Sequence, residues 1–231
     1  MDYIAEGIVH ALKLIFSFDM ELYKIVLLSL IVSSLSTIIS SVISIPLAVW
    51  LGLKHFKGER LFARILHTLM STPSVLVGLV VSIALSRRGP LGFLKLLYTP
   101  IAMIIAQTIL VTPLTLGLTY NLVRNRGKEI EKLGITLGAS PVQVIVLVIK
   151  ELELDLFINI VAAFSRAISE VGAVMMVGGN IKGHTRVITT SIAMWNSMGN
   201  YTMAIALGLI LLLISLLINS TIYSFRETEI R

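Results

Sequence analysis

Between Lys24 and Lys54 the chain carries no charged residue, and Ile, Leu and Val recur throughout the interval. A bilayer core asks for about 20 such residues. Residues 25–53 are therefore predicted to cross a membrane once, with length to spare for tilt and with Pro46 as the expected kink. Four more apolar runs follow: residues 65–86, 96–123, 156–177 and 201–225. The second run is interrupted by Thr72-Pro73-Ser74. Such a break is tolerated at membrane depth only where the freed backbone groups meet protein or a water-filled cavity. The third run carries Pro100 and Pro113, and the fourth carries Arg166 and Glu170. Ahead of them all, Ile4, Ile8, Leu12 and Ile15 are predicted to fall on one helical face, with Glu6, His10 and Lys13 elsewhere. Residues 2–17 are read as an amphipathic helix lying in the interface, the alternative being a short stub of the first span.

The one long exception to this apolar pattern is residues 128–153. Within it Ser140-Pro141 reads as a helix start. Serine accepts from the first free backbone N–H groups, and proline suits the first helical position because its missing N–H would go unpaired there. Gly138 just before lets the chain turn sharply. The prediction is helix, tight turn, short helix: a cytoplasmic knob between two spans that a partner could grip. Val142, Val144, Ile145 and Val148 are its expected apolar docking edge.

Composition makes the membrane reading firm. The chain has 231 residues, of which 56% are apolar and 14% charged, against about 25% charged in soluble domains. It is read as a single all-α integral membrane domain over residues 1–231. The net charge of +6 comes with no basic face carrying stacking or base-reading groups, so nucleic-acid binding is not expected. The cations instead set orientation. Lys54, Lys57, Arg60 and Arg64, then Arg124, Arg126, Lys128 and Lys132, place those loops in the cytoplasm. The amino terminus then falls outside and the carboxyl terminus inside, with five spans; Arg87 and Arg88 on the outer side run against the rule. Asp2 and Glu6 stand where the basic region of a cleavable signal would be, so no such signal is expected. No cysteine is present, which excludes thiol catalysis and thiolate metal sites.

Few residues could carry chemistry. Arg166 and Glu170 are four apart, predicted to share one helical face and to pair. Charges at membrane depth are costly and by default mark a site or pathway; the pair either lines a translocation route or braces helix packing. Thr72, Pro73, Ser74, Ser165 and Ser169 join Arg166 and Glu170 as candidate pathway residues by type and depth. The four histidines lack ligand spacing, so no metal site is expected. Gly178-Gly179-Asn180 lacks the Gly-Lys-Ser/Thr that follows in a phosphate-binding loop, so this chain is not expected to hydrolyse ATP. Lys182, His184 and Arg186 make the adjoining outer loop either a basic mouth that attracts an anion or merely a solvated loop.

Three blocks carry a resemblance. Leu137-Gly138-Ala139-Ser140-Pro141-Val142-Gln143 resembles the coupling loop of permease subunits of binding-protein-dependent ABC importers, although Lys132-Leu133-Gly134 stands where that loop usually has Glu-Ala-Ala. Arg166-Ala167-Ile168-Ser169-Glu170-Val171-Gly172-Ala173, with Val177-Gly178-Gly179-Asn180-Ile181 and Thr185-Arg186, is similar to the molybdate, tungstate and sulfate permeases. Leu85-Ser86-Arg87-Arg88-Gly89-Pro90-Leu91-Gly92, with Thr99 to Gln107, points to the same group, most like its tungstate branch.

The resemblance implies a type I (MetI-like) permease core with about five transmembrane helices, an interfacial helix and a cytoplasmic coupling helix. It implies a homodimer in the cell inner membrane, among membrane lipid, bound to two ATP-binding cassette subunits. Those subunits would carry the ATP and magnesium, with no cofactor on this chain. An extracytoplasmic tungstate-binding protein would deliver the oxyanion. Gly138, Ala139, Ser140, Pro141, Val142 and Gln143 would form the ATPase-coupling element. Molybdate or sulfate is the alternative cargo. The rival classes are a self-contained ion-coupled transporter or channel, which would need a coupling-ion site of its own, and a membrane scaffold.

Overall fold

The structure is a computed structural model and describes residues 2–17 and 19–229. Eleven α-helices account for most of the described residues, with no strand among them. They are α1 Asp2–Phe16, α2 Met20–Leu53, α3 Glu59–Met70, α4 Ser74–Leu85, α5 Pro100–Leu122, α6 Lys128–Thr136, α7 Pro141–Glu151, α8 Glu153–Ile168, α9 Gly172–Gly178, α10 Ile188–Ser197 and α11 Tyr201–Glu229.

Three helical stretches are long and apolar enough to cross a membrane: Met20–Leu53, Pro100–Thr136 and Tyr201–Ser220. The number rises to five if α3 with α4, and α8 with α9, each count as one broken crossing. The first pair breaks where Thr72-Pro73-Ser74 was expected to interrupt it and corrects only where the helix begins; the second pair corrects the reading outright. Residues 65–86 are not one helix: the helix starts earlier, at Glu59, stops at Met70, and resumes at Ser74. Pro73 is extended, with φ −60° and ψ 128°, and has no N–H to continue the ladder. Residues 156–177 are likewise interrupted, between Ile168 and Gly172. Pro46 lies inside an unbroken α2.

A third correction concerns residues 124–128, read as a loop. The chain stays helical there: a π turn over Val123–Gly127 carries α5 directly into α6. The extra residue of a π turn re-aims side chains without ending the helix. Here Arg124 reaches Glu59, and its Nε donates to the Tyr120 hydroxyl at 3.2 Å. Gly127 is buried, and a Cβ there would come within 2.8 Å of the Val123 side chain, so the glycine serves close packing and not a turn.

The helix α2 is inverted relative to a helix of a soluble protein. Ser33, Ser36, Thr37, Ser40, Ser41 and Ser44 are buried, while Leu35, Ile38, Val42 and Ile43 are exposed. Without a hydrophobic drive between helices in lipid, small hydroxylated side chains allow close approach and hydrogen-bond across the contact.

The chain divides into two compact units. The first comprises Met1–Ser36, Pro73–Gln107 and Ser165–Arg231. Its core gathers Val32, Val81, Leu85, Met103, Ala106, Ala173, Val174 and Val177. Gly78 sets the closest contact, since a Cβ there would lie 2.7 Å from the Ala173 Cα. A smaller cluster joins Leu22, Ile188, Leu207 and Ile210. The helix α1 packs along α11, with Tyr3 edge-on to Tyr201 at 5.8 Å between centroids. The Ser36 hydroxyl donates to Gln107 at 3.0 Å.

The second unit comprises Thr37–Thr72 and Thr108–Phe164. Its core gathers Val49, Leu53, Val123, Val144, Val148, Leu152 and Leu156. The Ser40 hydroxyl donates to Thr115 at 3.2 Å, and Ser44 donates to the Thr112 carbonyl at 3.4 Å.

Candidate functional site

The knob belongs to the second unit. The helix α6 ends in a Schellman motif: the Gly138 N–H donates to the Ile135 carbonyl and the Ala139 N–H to the Gly134 carbonyl, both at 3.0 Å. That motif needs a left-handed residue, and Gly138 supplies it with φ +80°. Two residues later Ser140 caps α7. Its Oγ accepts from the Gln143 N–H at 3.4 Å, while the Gln143 side chain accepts from the Ser140 N–H at 2.7 Å. Pro141 occupies the first helical position. The whole reversal thus takes only Leu137 to Ser140. A Cβ on Gly134 would lie 3.3 Å from both the Val144 and the Leu147 side chains, so α7 folds back tightly on α6.

The docking edge read from sequence is corrected. Val144 and Val148 are buried in the unit's core, so they anchor the knob and cannot meet a partner. Val142 is 70% exposed, and it is joined by Leu133, Ile135, Val146 and, at 76%, Leu137. These residues sit beside Glu129, Glu131 and Lys132. An apolar patch in so charged a setting suits a protein surface better than lipid. The neighbouring cations are held in place: Arg126 pairs with Asp155, and Lys128 Nζ lies 3.0 Å from the His55 ring.

The polar residues of the first unit converge on Glu170. It lies in the break between α8 and α9, not on the helix predicted for it, and is only 3% exposed. One carboxylate oxygen accepts from the Gly172 N–H at 2.8 Å and the Ala173 N–H at 3.3 Å, capping α9. The other lies 3.4 Å from Arg166 Nη1, so the predicted pair forms although Glu170 is past the helix end. The Glu170 carbonyl accepts from the Thr189 hydroxyl at 2.8 Å. Gln107 Nε2 donates to the Ala167 carbonyl at 2.9 Å. Thr189 escaped the sequence reading, and Gln107 entered it only within a resemblance; a lone amide inside an apolar run was the available signal for its task.

The other pathway candidates divide. Ser74 meets α9, since a Cβ on Gly172 would lie 2.8 Å from its Oγ. Ser169 is exposed, its hydroxyl donating to the Ser165 and Arg166 carbonyls. The Ser165 hydroxyl is buried without a partner. Thr72 belongs to the second unit, where its hydroxyl donates weakly to Thr68 at 3.5 Å. Pro73 caps α4 without a side-chain bond.

The loop carrying Lys182, His184 and Arg186 is less basic than its sequence suggests. Lys182 Nζ lies 2.8 Å from one Glu21 oxygen and Arg186 Nη1 3.9 Å from the other. The neighbouring glycines turn that loop: Gly179 and Gly183 have φ near +70°. Buried Thr185 pins it by accepting from the Ile181 N–H at 3.0 Å and donating to the Gly178 carbonyl.

Residues 44–226 match the family model of the binding-protein-dependent transport system inner membrane component. The chain is 65% identical over 227 residues to a tungstate uptake system permease protein, TupB, of Peptoclostridium acidaminophilum, covering 98% of this chain and 100% of that one. It is 37% identical over 228 residues to the protein of the same name from Campylobacter jejuni, covering 99% and 95%. It is also 37% identical over 211 residues to a probable anion ABC transporter permease protein of Haloferax volcanii, covering 89% and 91%.

Proposed function

This chain belongs to the inner membrane components of binding-protein-dependent transport systems, and from that premise we propose that it is the permease subunit of an ABC importer whose cargo is tungstate. The likeness to a tungstate uptake permease over nearly the whole chain carries the choice of cargo. The chain is a multi-pass inner-membrane transport subunit; ATP hydrolysis, with its magnesium, belongs to a separate subunit. Two copies of this chain form the permease, and each offers its α6–α7 knob to one ATPase subunit. Gly138 to Gln143 make the turn, and Leu133, Ile135, Leu137 and Val142 make the apolar contact. The amino terminus lies outside, where a loaded tungstate-binding protein docks, and the carboxyl terminus lies in the cytoplasm.

The mechanism follows from a bistable membrane core. Closure of the ATPase pair on ATP moves the knobs, and the spans shift between inward- and outward-open arrangements. The loaded receptor and ATP bias that equilibrium together. A compact dianion that bound tightly in the route would leave slowly, so selection belongs to the receptor and the route offers weak contacts. Thr72, Ser74, Ser165, Arg166, Ser169 and Glu170 are the route's candidate polar groups in this reading, with Pro73 at the helix break among its candidate lining residues.

The test is uptake into liposomes holding the permease with its ATPase. Tungstate should enter only with ATP inside and loaded binding protein outside. Entry driven by the permease alone, without nucleotide, would sink the importer reading. Equal uptake with molybdate- or sulfate-loaded receptor would overturn the choice of cargo.

A further inference from the structure

Resting on the reading that this chain conducts a tetrahedral oxyanion, we infer that the Arg166 guanidinium contacts the anion in the route, and that Glu170 is its positioning residue, a fixed counter-charge that keeps the contact releasable. The two side chains differ in freedom. Glu170 is buried and bonded on both carboxylate oxygens: backbone N–H groups of Gly172 and Ala173 hold one, and Arg166 faces the other. Its own carbonyl is tied to Thr189, and the chain three residues earlier is tied to Gln107 at the Ala167 carbonyl. With α8 ending at Ile168 and α9 starting at Gly172, the carboxylate is built into the junction itself.

Arg166 is not enclosed. Its side chain is 43% exposed, and only Nη1 lies within ion-pair distance of Glu170, at 3.4 Å. A guanidinium has five N–H donors in one plane, so most of them point elsewhere. In the bilayer interior an exposed guanidinium facing lipid is costly, and such groups face water-filled cavities or protein. Ser169 is exposed one turn along but commits its hydroxyl proton to helix carbonyls. Arg166 therefore supplies the free donors of this turn. A planar fork matches two oxygens of a tetrahedral oxyanion.

The pairing explains why such a contact need not trap its cargo. An isolated guanidinium would hold a dianion strongly in a low-dielectric setting. With an immovable carboxylate beside it, the arginine keeps its donor geometry while much of its field is cancelled. Glutamine at position 170 can still accept from Gly172 and Ala173, so Glu170→Gln removes the counter-charge and leaves the cap in place.

The experiment uses the permease–ATPase complex in nanodiscs for binding and in liposomes for uptake. Tungstate retained by the receptor-free complex is measured by equilibrium dialysis and elemental analysis. Arg166→Gln should abolish that retention and cut uptake at least about tenfold, with receptor-stimulated ATP hydrolysis within about twofold of the parent. Arg166→Lys should keep part of both. Glu170→Gln should retain several-fold more tungstate yet transport it more slowly, a split that lost packing would not produce. Thr189→Val removes the tie on the Glu170 carbonyl without touching either charge; it should lower thermal stability and shift tungstate retention by less than Glu170→Gln does. Unchanged retention in Arg166→Gln and Glu170→Gln, with uptake and ATP hydrolysis falling together, would overturn the inference and leave a packing pair. Absence of ATP- and receptor-dependent uptake in the parent would instead strike at the importer reading.

Discussion

Ser140 and Gln143 cap one another at the start of α7, each side chain accepting from the other's backbone N–H, at 3.4 and 2.7 Å. The box matters because α7 follows α6 after only Leu137 to Ser140, so it fixes where the first turn of α7 begins. Ser140→Ala leaves the Gln143 N–H without its acceptor, which typically costs about 1 kcal/mol. The expected outcome is faster amide exchange in the first turn of α7, with protection of α2 unchanged, and reduced ATP-dependent uptake. Exchange in α7 equal to the parent's would show that packing against Val49 and Leu53 alone fixes the helix.

The exposed side chains of the knob predict a separation of binding from folding. Leu137 and Val142 make no part of the unit's core. Leu137→Asp or Val142→Glu should change stability by no more than about 0.5 kcal/mol. Each should abolish co-purification of the ATPase. Val148→Ala should do the reverse: it opens a cavity in the core, costs about 1–3 kcal/mol, and unfolds the knob's anchor. Co-purification assays beside thermal melts distinguish the two patterns.

Gly138 adds a backbone test at the same turn. No atom lies within 4 Å of where its Cβ would sit, so bulk is not the obstacle. Its φ of +80° lies in the left-handed region, and a side chain there costs roughly 1–2 kcal/mol. Gly138→Glu should insert into the membrane normally and lose ATP-driven uptake. Normal uptake in that variant would count against the knob as the coupling element.

These positions also mark how far the sequence could be read. The turn at Gly138 and the start at Ser140-Pro141 were legible because glycine and proline act locally, through φ and a missing N–H. The apolar runs were legible for the same reason: length alone decides whether a stretch can cross. The break before Gly172 was not, because its cause is Glu170 turning back to cap α9, a contact made in three dimensions. The helix through Arg124, Asn125 and Arg126 was misread because their loop-like composition is answered by Glu59, distant in sequence. Asn180 and Thr185 were given no structural task by the sequence. The structure gives them physical tasks: Thr190 donates to Asn180 Oδ1 at 2.9 Å, and Thr185 pins the loop.

Two glycines on one helix contact predict unequal costs. A Cβ on Gly78 would lie 2.7 Å from the Ala173 Cα, a backbone atom that cannot step aside. A Cβ on Gly172 would meet the Val75 Cγ2 at 2.7 Å and the Ser74 Oγ at 2.8 Å, side-chain atoms able to rotate away, with the nearest backbone atom, the Val75 N, at a milder 3.2 Å. Overpacking costs about 1–3 kcal/mol, and Gly78→Ala should sit at the upper end and Gly172→Ala at the lower. Melting temperatures of the two purified variants check the order. Equal losses would mean that the contact between α4 and α9 yields as a whole.

Glu59 and Arg124 supply the last prediction, and it turns on which partner is removed. Arg124 is only 11% exposed at its side chain, with Glu59 at 33% and the Tyr120 hydroxyl as its other partner. Glu59→Gln keeps the shape but leaves a nearly buried guanidinium facing a neutral amide. Losing the charged partner of a group this buried costs about 1.5–3 kcal/mol. Arg124→Gln removes the buried charge as well, so the carboxylate left behind can turn toward solvent. Its cost should be the smaller of the two. The double variant should then lose less than the sum, with a coupling of about 0.5–3 kcal/mol in a cycle of melts. Because Arg124 lies in the π turn that joins α5 to α6, loosening it should also weaken transmission from knob to span. Uptake per ATP hydrolysed should fall in Glu59→Gln even at temperatures where the protein stays folded. Strict additivity in the cycle would show that the two charges are held by their own helices and not by each other.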